Sequence, residues 1–204
     1  MNIRAQQPSP VLADAVLPAS EGYRRLLQDV ALVIGACLLT ALLAQVKIPL
    51  GFTPVPITGQ TFAVLVVGAT LGSRRGAAAM LLYLVAGTWL PFYAGGASGF
   101  VFSIASGGYI IGFIPAAFVV GWLSEQGWDR RPRVLLSMLA GNVVLYVPGL
   151  LWLATFAPAE TRWTTTMEWG LYPFIIGDAI KLVAASLLLP VAWEAVNLVR
   201  GRKQ

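Results

Sequence analysis

The chain has 204 residues, of which 57% are hydrophobic and only 11% are charged, and its mean hydropathy is +0.74. A water-soluble domain carries about 25% charged residues, so this composition excludes a soluble globular protein and indicates one compact integral membrane domain. The chain has no His, a single Cys and a net charge of +5, which excludes a disulfide framework, argues against a zinc site and removes the commonest general base.

A nucleotide-binding loop is also missing from the sequence. None of the three Lys residues follows a Gly, so the chain lacks a G-x-x-x-x-G-K-[ST] motif. We therefore expect no ATP hydrolysis by the chain itself. Without a nucleophile–base pair or a cluster of metal ligands, we expect neither an enzyme nor a protein that needs a cofactor.

Apolar segments dominate the chain after residue 23. Residues 1–23 contain no long apolar run and no signal-peptide pattern, so we expect a loose cytoplasmic tail with no cleavable signal. A spanning helix needs about 20 residues. We predict an all-α membrane protein with six transmembrane helices in a domain of residues 24–199, and a basic cytoplasmic tail at 200–204. The predicted segments lie near residues 26–46, 57–71, 76–90, 108–124, 134–156 and 172–199.

Positive charges predict the topology, because Lys and Arg concentrate on the cytoplasmic side of a membrane. With six crossings, eleven of them fall on one side, and only Lys47 and Arg162 fall on the other. Both termini are therefore predicted to be cytoplasmic. The net charge reports topology in a lipid bilayer, and we do not take it as a sign of nucleic-acid binding. The eleven residues are Arg4, Arg24, Arg25, Arg74, Arg75, Arg130, Arg131, Arg133, Arg200, Arg202 and Lys203.

Small residues recur at four-residue spacing in the first segment. Such rows let a partner helix approach closely, so they are candidates for contact with another subunit. Packing within the chain is an equally good explanation, because small residues are common in all membrane helices. One row contains Ala31 and Gly35, and the other contains Ala36, Thr40 and Ala44.

The predicted outer loops are longer than the inner ones, which indicates a pocket that opens outward. The first, "KIPLGFTPVPITGQT", is stiffened by three Pro residues. The second is a Gly-rich apolar stretch at residues 91–107. Irregular backbone at membrane depth is tolerated only where protein buries it or where it lines a cavity. We expect a re-entrant or pocket-capping loop there; the alternative is an outer loop resting on the helix ends.

Polar and aromatic side chains in these apolar surroundings are weaker candidates for ligand binding. Thr58, Gln60 and Thr61 open the second segment, where they could also cap a helix or bond to another helix. Asn142 and Tyr146 lie one turn apart on one face of the fifth segment, and Asn142 must find a partner there.

Aromatic residues near the Gly-rich stretch could line a pocket or pack within the protein. Tyr93 is the candidate that we place at the pocket, and Tyr83, Phe92 and Tyr109 are further possibilities.

Two opposite charges lie inside the last apolar segment, "PFIIGDAIKLVAASLLLP". An ionisable residue at the middle of a membrane helix costs about 2.5–3.5 kcal/mol on insertion scales. Asp178 and Lys181 are three residues apart, so they project from nearly the same face of a helix. They could form an ion pair that locks helix packing, or they could bind a small polar ligand with both donor and acceptor groups. We favour the ligand, because intramembrane ionisable residues are usually functional.

The order and spacing of four motifs resemble the BioY family, the biotin-binding S components of energy-coupling-factor (ECF) transporters. The similarity covers about residues 26–195. The combination of P-V-P-I-T-x-Q-T with G-D-x-x-K after Y-P-F is specific. The motifs are "PVPITGQTFAVLVVGATLG", "GGYIIGF", "GNVVLYVPGLLWL" and "YPFIIGDAIKL".

This resemblance implies a six-helix substrate-binding subunit of the bacterial inner membrane that captures biotin from outside. It also implies assembly with a transmembrane coupling subunit and two cytoplasmic ATPases. The Asp and Lys of the family's G-D-x-x-K element, which approach the ligand, correspond to Asp178 and Lys181. The small-residue rows resemble the face that meets the coupling subunit. A solo biotin carrier that works without ATPase partners is the alternative.

Two positions depart from the family pattern. Ala105 and Ser106 replace the usual P-T before G-G-Y, and Ile176 replaces the Pro of I-P-G-D. The first departure puts loop contacts in doubt, because it changes the residues of a backbone turn. The second removes a proline at the helix start but keeps both charged residues.

Overall fold

The computed structural model describes residues 10–17, 21–130 and 132–201. The predicted tails before residue 10 and after residue 201 lie outside this part of the chain. So do four of the positive charges used to predict the topology, namely Arg4, Arg131, Arg202 and Lys203. The described residues form helices joined by short strands and 3-10 turns. In chain order the elements are α1 (Leu12–Val16), α2 (Gly22–Ala44), β1 (Lys47–Ile48), β2 (Ile57–Thr58), α3 (Gln60–Leu71), α4 (Ser73–Ala86), a 3-10 turn (Val101–Ser103), α5 (Gly107–Glu125), α6 (Val134–Leu153), α7 (Arg162–Gly170), a 3-10 turn (Tyr172–Phe174) and α8 (Ile175–Gly201).

Six of these helices occupy the six predicted apolar segments. Within the described residues, four helical segments are long and apolar enough to cross a bilayer, namely Gly22–Ala44, Gly107–Glu125, Val134–Leu153 and Arg162–Val199. Helices α3 and α4 have only 12 and 14 residues. At 1.5 Å per residue they span roughly 20 Å, which is less than the apolar thickness of a bilayer. The length and apolarity of the helices thus give four candidate spans, as in a multi-pass membrane protein.

Helix α5 is the centre of the bundle and packs against α3, α4 and α6. Its glycines allow a close approach of neighbouring backbones. A Cβ at Gly112 would lie 2.7 Å from the carbonyl oxygen of Leu145, and one at Gly121 would lie 2.3 Å from the carbonyl carbon of Gly72. Helices α2 and α8 pack on the outside of this group, α2 against α3 and α4, and α8 against α3 and α6.

Polar contacts gather several helix ends at one end of the bundle. The Glu125 carboxylate at the end of α5 accepts hydrogen bonds from the backbone and hydroxyl of Ser73, both at 2.8 Å. Arg75 of α4 pairs with Asp14 of α1 at 2.7 Å and with Asp29 of α2 at 2.8 Å. We call this the basic end: the first turns of α2, α4 and α6, the last turns of α3, α5 and α8, and the turns that join α3 to α4 and α5 to α6.

A buried carboxylate fixes α8 at the basic end. Asp129, in the turn between α5 and α6, is fully buried and accepts a hydrogen bond of 2.6 Å from the indole of Trp193 in α8. Burial raises the pKa of Asp129, while the bond from Trp193 and the charge of Arg130 act in the opposite direction. The Arg130 guanidinium also covers the Trp193 ring at 4.1 Å. The far end of α8 is thereby held against the turn between α5 and α6.

The expectation of a loose tail through residue 23 is wrong for its described part. Helix α1 forms within it, and Val11 and Ala15 are buried. The ion pair between Asp14 and Arg75 adds a polar contact to this packing. The helix signal in this segment is weak, because a five-residue helix depends on what it packs against and not on its own propensity.

The two rows of small residues in α2 have different surroundings. Ala36, Thr40 and Ala44 are buried within the chain, so the prediction that they contact a partner helix is wrong. Ala31 and Gly35 lie on the exposed face, and a Cβ at Gly35 would meet nothing within 4 Å. Only 22% of the apolar window of α2 is buried, against 67% for α5. Helix α2 therefore leaves a long apolar face to its surroundings.

The Gly-rich stretch is irregular, as predicted, and hydrogen bonds hold it to three helices. The Gly95 N–H donates to the carbonyl of Ala44 at the end of α2, and the Gly99 N–H donates to that of Gly87 after α4. The indole of Trp152 in α6 donates to the carbonyl of Ile104 at 3.0 Å. We call residues 91–106 the outer loop, after the side of the membrane that the sequence predicts for it; it lies at the end of the bundle opposite the basic end.

We predict that Gly121→Ala destabilises the chain, because the new methyl group meets backbone atoms that cannot move aside. Overpacking of this kind costs about 3 kcal/mol. Gly35→Ala is the matched control: its methyl group enters open space, and Ala favours a helix by about 1 kcal/mol over Gly. Thermal unfolding in detergent, followed by circular dichroism, should show a lower midpoint for Gly121→Ala only. Equal midpoints for the two variants would contradict the packing described for α5.

Candidate functional site

A cavity lies between the outer loop, the β1–β2 hairpin and the ends of α3, α5, α6 and α8 that are remote from the basic end. Its wall is polar on the side of α3 and α8 and mostly apolar on the side of α5 and α6. The segment from β2 into α3 contributes three neighbouring polar residues, and α8 contributes both members of the predicted charged pair. The lining residues are Val55, Pro56, Thr58, Gln60, Thr61, Ala94, Ser106, Tyr109, Ile110, Phe113, Leu145, Tyr146, Phe174, Asp178 and Lys181.

The carboxylate of Asp178 is buried and surrounded by four donors. Its Oδ1 atom accepts from Lys181 Nζ at 3.1 Å and from Thr61 Oγ1 at 3.4 Å. Its Oδ2 atom accepts from the Tyr146 hydroxyl at 2.5 Å and from Asn142 Nδ2 at 3.5 Å. We call these five residues the Asp178 cluster. They come from α3, α6 and α8, so the cluster joins three helices through one charge.

The positions of these side chains follow from local helix geometry. Pro173 in the 3-10 turn precedes α8, so Asp178 falls in the first turn of the helix, where a negative charge interacts favourably with the helix dipole. Lys181 is one turn further along the same face. Asn142 and Tyr146 have the four-residue spacing that places two side chains on one face of α6.

Thr61 completes the cluster. Its hydroxyl accepts a hydrogen bond from Lys181 Nζ at 2.9 Å, the shorter of the two contacts that the ammonium makes, and donates to Asp178. Thr61 is thus placed to hold the two charges at a fixed separation. The "PITGQT" motif contains this residue, but its hydroxyl was equally compatible with capping or contact between helices.

Gln60 and Thr58 lie on the cavity wall. The Thr58 hydroxyl donates to Gln60 Oε1 at 2.8 Å. The amide nitrogen of Gln60 donates to the Tyr83 hydroxyl at 2.6 Å. Gln60 is buried, so these bonds satisfy a polar group that would be costly to leave unpaired.

Aromatic rings form the apolar part of the wall. The Tyr109 ring packs edge-on against Tyr146 with 5.8 Å between centroids, and its hydroxyl donates to the carbonyl of Gly170 at 2.7 Å. Phe113 and Phe174 also line the cavity. The wall therefore offers charged and amide groups on one side and flat apolar surfaces on the other, which suits a small molecule with polar groups on one side and an apolar body.

The structure places Tyr93 away from the cavity. Its hydroxyl donates to the carbonyl of Leu84 in α4 at 2.7 Å, and its ring packs edge-on against Tyr83. The next residue, Ala94, lines the cavity in its place. The prediction of Tyr93 as a pocket residue is therefore corrected, because the bond to α4 turns its side chain into the protein.

Metal binding has no support in residues 10–17, 21–130 and 132–201, where no group of three His, Cys, Asp or Glu side chains could hold an ion. Asn142 Oδ1 is the buried polar atom of the cluster that lacks a hydrogen-bond partner among the described residues. It adds an unused acceptor beside Asp178.

Known proteins resemble this chain both in sequence and in structure. A sequence model described as the BioY family matches residues 13–198. A biotin transporter BioY of Rhizobium etli is 39% identical over 163 residues, which cover 75% of this chain and 86% of the relative. A biotin transporter BioY of Rhodobacter capsulatus is 40% identical over 167 residues, with the same two coverages.

A solved structure shares the fold. The crystal structure of the S-component for biotin from an ECF-type ABC transporter superposes with a TM-score of 0.70. The two sequences are 23% identical, and the superposition covers 91% of this chain and 96% of the other.

We predict that Thr61→Val destabilises the chain, because Lys181 loses its shorter hydrogen bond while its charge stays in the protein. A hydrogen bond to a charged group contributes about 1.5–3 kcal/mol. Thr70→Val is the control: it makes the same change in the same helix, but the Thr70 hydroxyl bonds to the carbonyl of Val66 in its own helix. The unfolding midpoint in detergent should fall further for Thr61→Val. A fall of the same size in both variants would mean that Thr61 does not support the charged pair.

Proposed function

Because the chain belongs to the BioY family, we propose that it is a membrane-embedded subunit that binds biotin from outside and delivers it for ATP-driven uptake. Curated relatives at 39% and 40% identity are named biotin transporters. The solved structure with the same fold is described as an S-component for biotin from an ECF-type ABC transporter. The observation that carries the proposal is the buried Asp178 carboxylate, which lies beside Lys181 on the cavity wall.

The chemistry of biotin matches the Asp178 cluster. Its ureido ring has two N–H donors and one carbonyl acceptor. Asp178 has two long contacts, with Thr61 at 3.4 Å and with Asn142 at 3.5 Å. Ureido N–H groups can replace these long contacts, while the shorter bonds from Tyr146 and Lys181 keep the carboxylate in position. Asn142 Oδ1 offers a further acceptor at the same place.

Lys181 provides the complementary donor. An ammonium group has three N–H donors, and Lys181 uses two of them on Thr61 and Asp178. The third is available to the ureido carbonyl. The apolar rings of biotin would pack against Tyr109, Phe113 and Phe174. Gln60 and Thr58 complete the polar wall.

We propose six crossings, by α2 to α6 and α8, with both termini in the cytoplasm. The support is the position of the charges: the described arginines at residues 24, 25, 74, 75, 130 and 133 all belong to the basic end. Lys and Arg favour the cytoplasmic side. The basic end would then face the cytoplasm of a bacterial cell, with the chain in its inner membrane. The cavity, at the opposite end, would face outward.

Energy would come from partner proteins, namely an ECF coupling subunit and two cytoplasmic ATPases. The chain itself has no P-loop motif, and its curated relatives are named transporters. The exposed Ala31 and Gly35 of α2 are proposed to meet the coupling subunit, because small residues permit close helix contact. A solo carrier has no comparable support, since the solved relative is described as a component of an ABC transporter.

Equilibrium binding of labelled biotin to the purified chain in detergent tests the proposed ligand. Biotin should displace the label, whereas thiamine and riboflavin should not. Asp178→Asn and Lys181→Met should each weaken binding by about tenfold to a hundredfold, the equivalent of a hydrogen bond to a charged group. Ser186→Ala, a control in α8 whose hydroxyl donates to the Leu182 carbonyl in the same helix at 2.7 Å, should bind like the parent.

Two results would contradict the proposal. A folded parent that does not bind biotin would overturn the assignment of biotin as the ligand. Unchanged binding by both Asp178→Asn and Lys181→Met would place the ligand elsewhere and leave the pair a structural role.

Assembly is predicted to depend on Gly35. Gly35→Leu adds a large side chain to the exposed face of α2, so the variant should bind biotin normally but co-purify poorly with the coupling subunit and ATPases. Ala184→Leu is the control, because Ala184 is also exposed but lies on α8. Full recovery of the complex with Gly35→Leu would show that the coupling subunit meets another face.

A further inference from the structure

Tyr83 connects the cavity to the outer loop from a position behind the cavity wall. It lies in α4 and is completely buried. Its hydroxyl receives a hydrogen bond from Gln60 Nε2 at 2.6 Å and donates to the backbone carbonyl of Phe92 at 2.9 Å. Gln60 lines the cavity, and Phe92 belongs to the outer loop. Tyr83 is therefore one bond away from each.

The number of protons available fixes the direction of each hydrogen bond in the series from Gln60 through Tyr83 to Phe92. A tyrosine hydroxyl has a single proton, and a backbone carbonyl can only accept. The Tyr83 proton must therefore point at Phe92. The group of Gln60 that faces Tyr83 must then be the donor, its NH₂, and not its carbonyl. The oxygen and nitrogen of an amide are alike in shape, so the orientation of the Gln60 amide follows from the hydrogen bonds that its partners require.

The other end of the amide agrees with this orientation. The backbone N–H of Gln60 donates to Thr58 Oγ1 at 3.3 Å, so the Thr58 proton is directed at Gln60 Oε1, which lies 2.8 Å away. The Gln60 amide thus has an acceptor toward Thr58 and a donor toward Tyr83. Its second N–H has no protein acceptor among the described residues and is available to a ligand in the cavity.

We propose that Tyr83 is a positioning residue for ligand binding: through the outer-loop carbonyl of Phe92, it fixes the Gln60 amide so that the cavity presents an N–H donor there. The proposal rests on the function proposed above. It assigns Gln60 to an acceptor group of the ligand, and it makes the position of the outer loop a condition for that contact. Without the Tyr83 hydroxyl the amide keeps its contact with the Thr58 hydroxyl. Because that hydroxyl can accept as well as donate, the amide can then turn and present its carbonyl instead.

Tyr93 provides a matched control. It is also buried, and its hydroxyl also links the outer loop to α4, through the bond to the Leu84 carbonyl. It has no bond to Gln60 and does not line the cavity. Tyr83→Phe and Tyr93→Phe each remove one hydroxyl from a buried ring at the same loop. Both variants should loosen the loop, but only Tyr83→Phe should also release the orientation of the Gln60 amide.

The experiment measures biotin affinity and the unfolding midpoint for the parent, Tyr83→Phe, Tyr93→Phe, Gln60→Ala and the double variant of Gln60→Ala with Tyr83→Phe. The midpoints of the two Tyr variants should fall by similar amounts. Affinity should fall about tenfold in Tyr83→Phe, the equivalent of one hydrogen bond, and less than twofold in Tyr93→Phe. In the Gln60→Ala background, Tyr83→Phe should change affinity no further, because the group that it orients is gone.

The outcomes distinguish this inference from the proposed function. A parent that does not bind biotin overturns the proposed function, and the inference falls with it. A parent that binds, with Tyr83→Phe binding equally well or no worse than Tyr93→Phe, overturns the inference alone. Additive effects of Gln60→Ala and Tyr83→Phe overturn it too, because Tyr83 would then act by a route other than Gln60.

Discussion

The structure depends on one physical constraint, which is that a carboxylate removed from water must be satisfied by donors. Asp178 is buried in an apolar bundle, and four side chains from three helices donate to it or stand within 3.5 Å of it. Loss of one partner from a buried charged pair costs several kcal/mol. The arrangement of α3, α6 and α8 is therefore coupled to the polarity of the cavity: the same contacts hold the helices and place charges on the cavity wall.

The two ends of the bundle differ in composition. The cavity and the outer loop form one end, and the arginines and the Asp129–Trp193 bond form the other. An apolar cluster that includes Leu65, Met138 and Leu182 lies between them along α3, α6 and α8. The cavity is thereby separated from the surface proposed to face the cytoplasm, and a change at one end need not disturb the other.

The sequence predicted what depends on local pattern and missed what depends on packing. Apolar length gave the positions of the long helices, and the i, i+3 spacing brought Asp178 and Lys181 to one face. Thr61 could not be distinguished from a capping residue, because its role arises only when α3 meets α8. The predictions for Tyr93 and Thr40 were wrong for the same reason. Whether a side chain faces a cavity, a partner or the core depends on the neighbouring helix, and the local sequence does not show which helix packs beside it.

The decisive measurement is a crystal or electron-microscopy structure of the chain with bound biotin. We expect biotin in the cavity, with its ureido N–H groups within hydrogen-bond distance of Asp178 and its ureido carbonyl facing Lys181. Biotin bound at another place, with the five residues of the Asp178 cluster bonded only to one another, would contradict this expectation and leave the charged pair a purely structural feature of the fold.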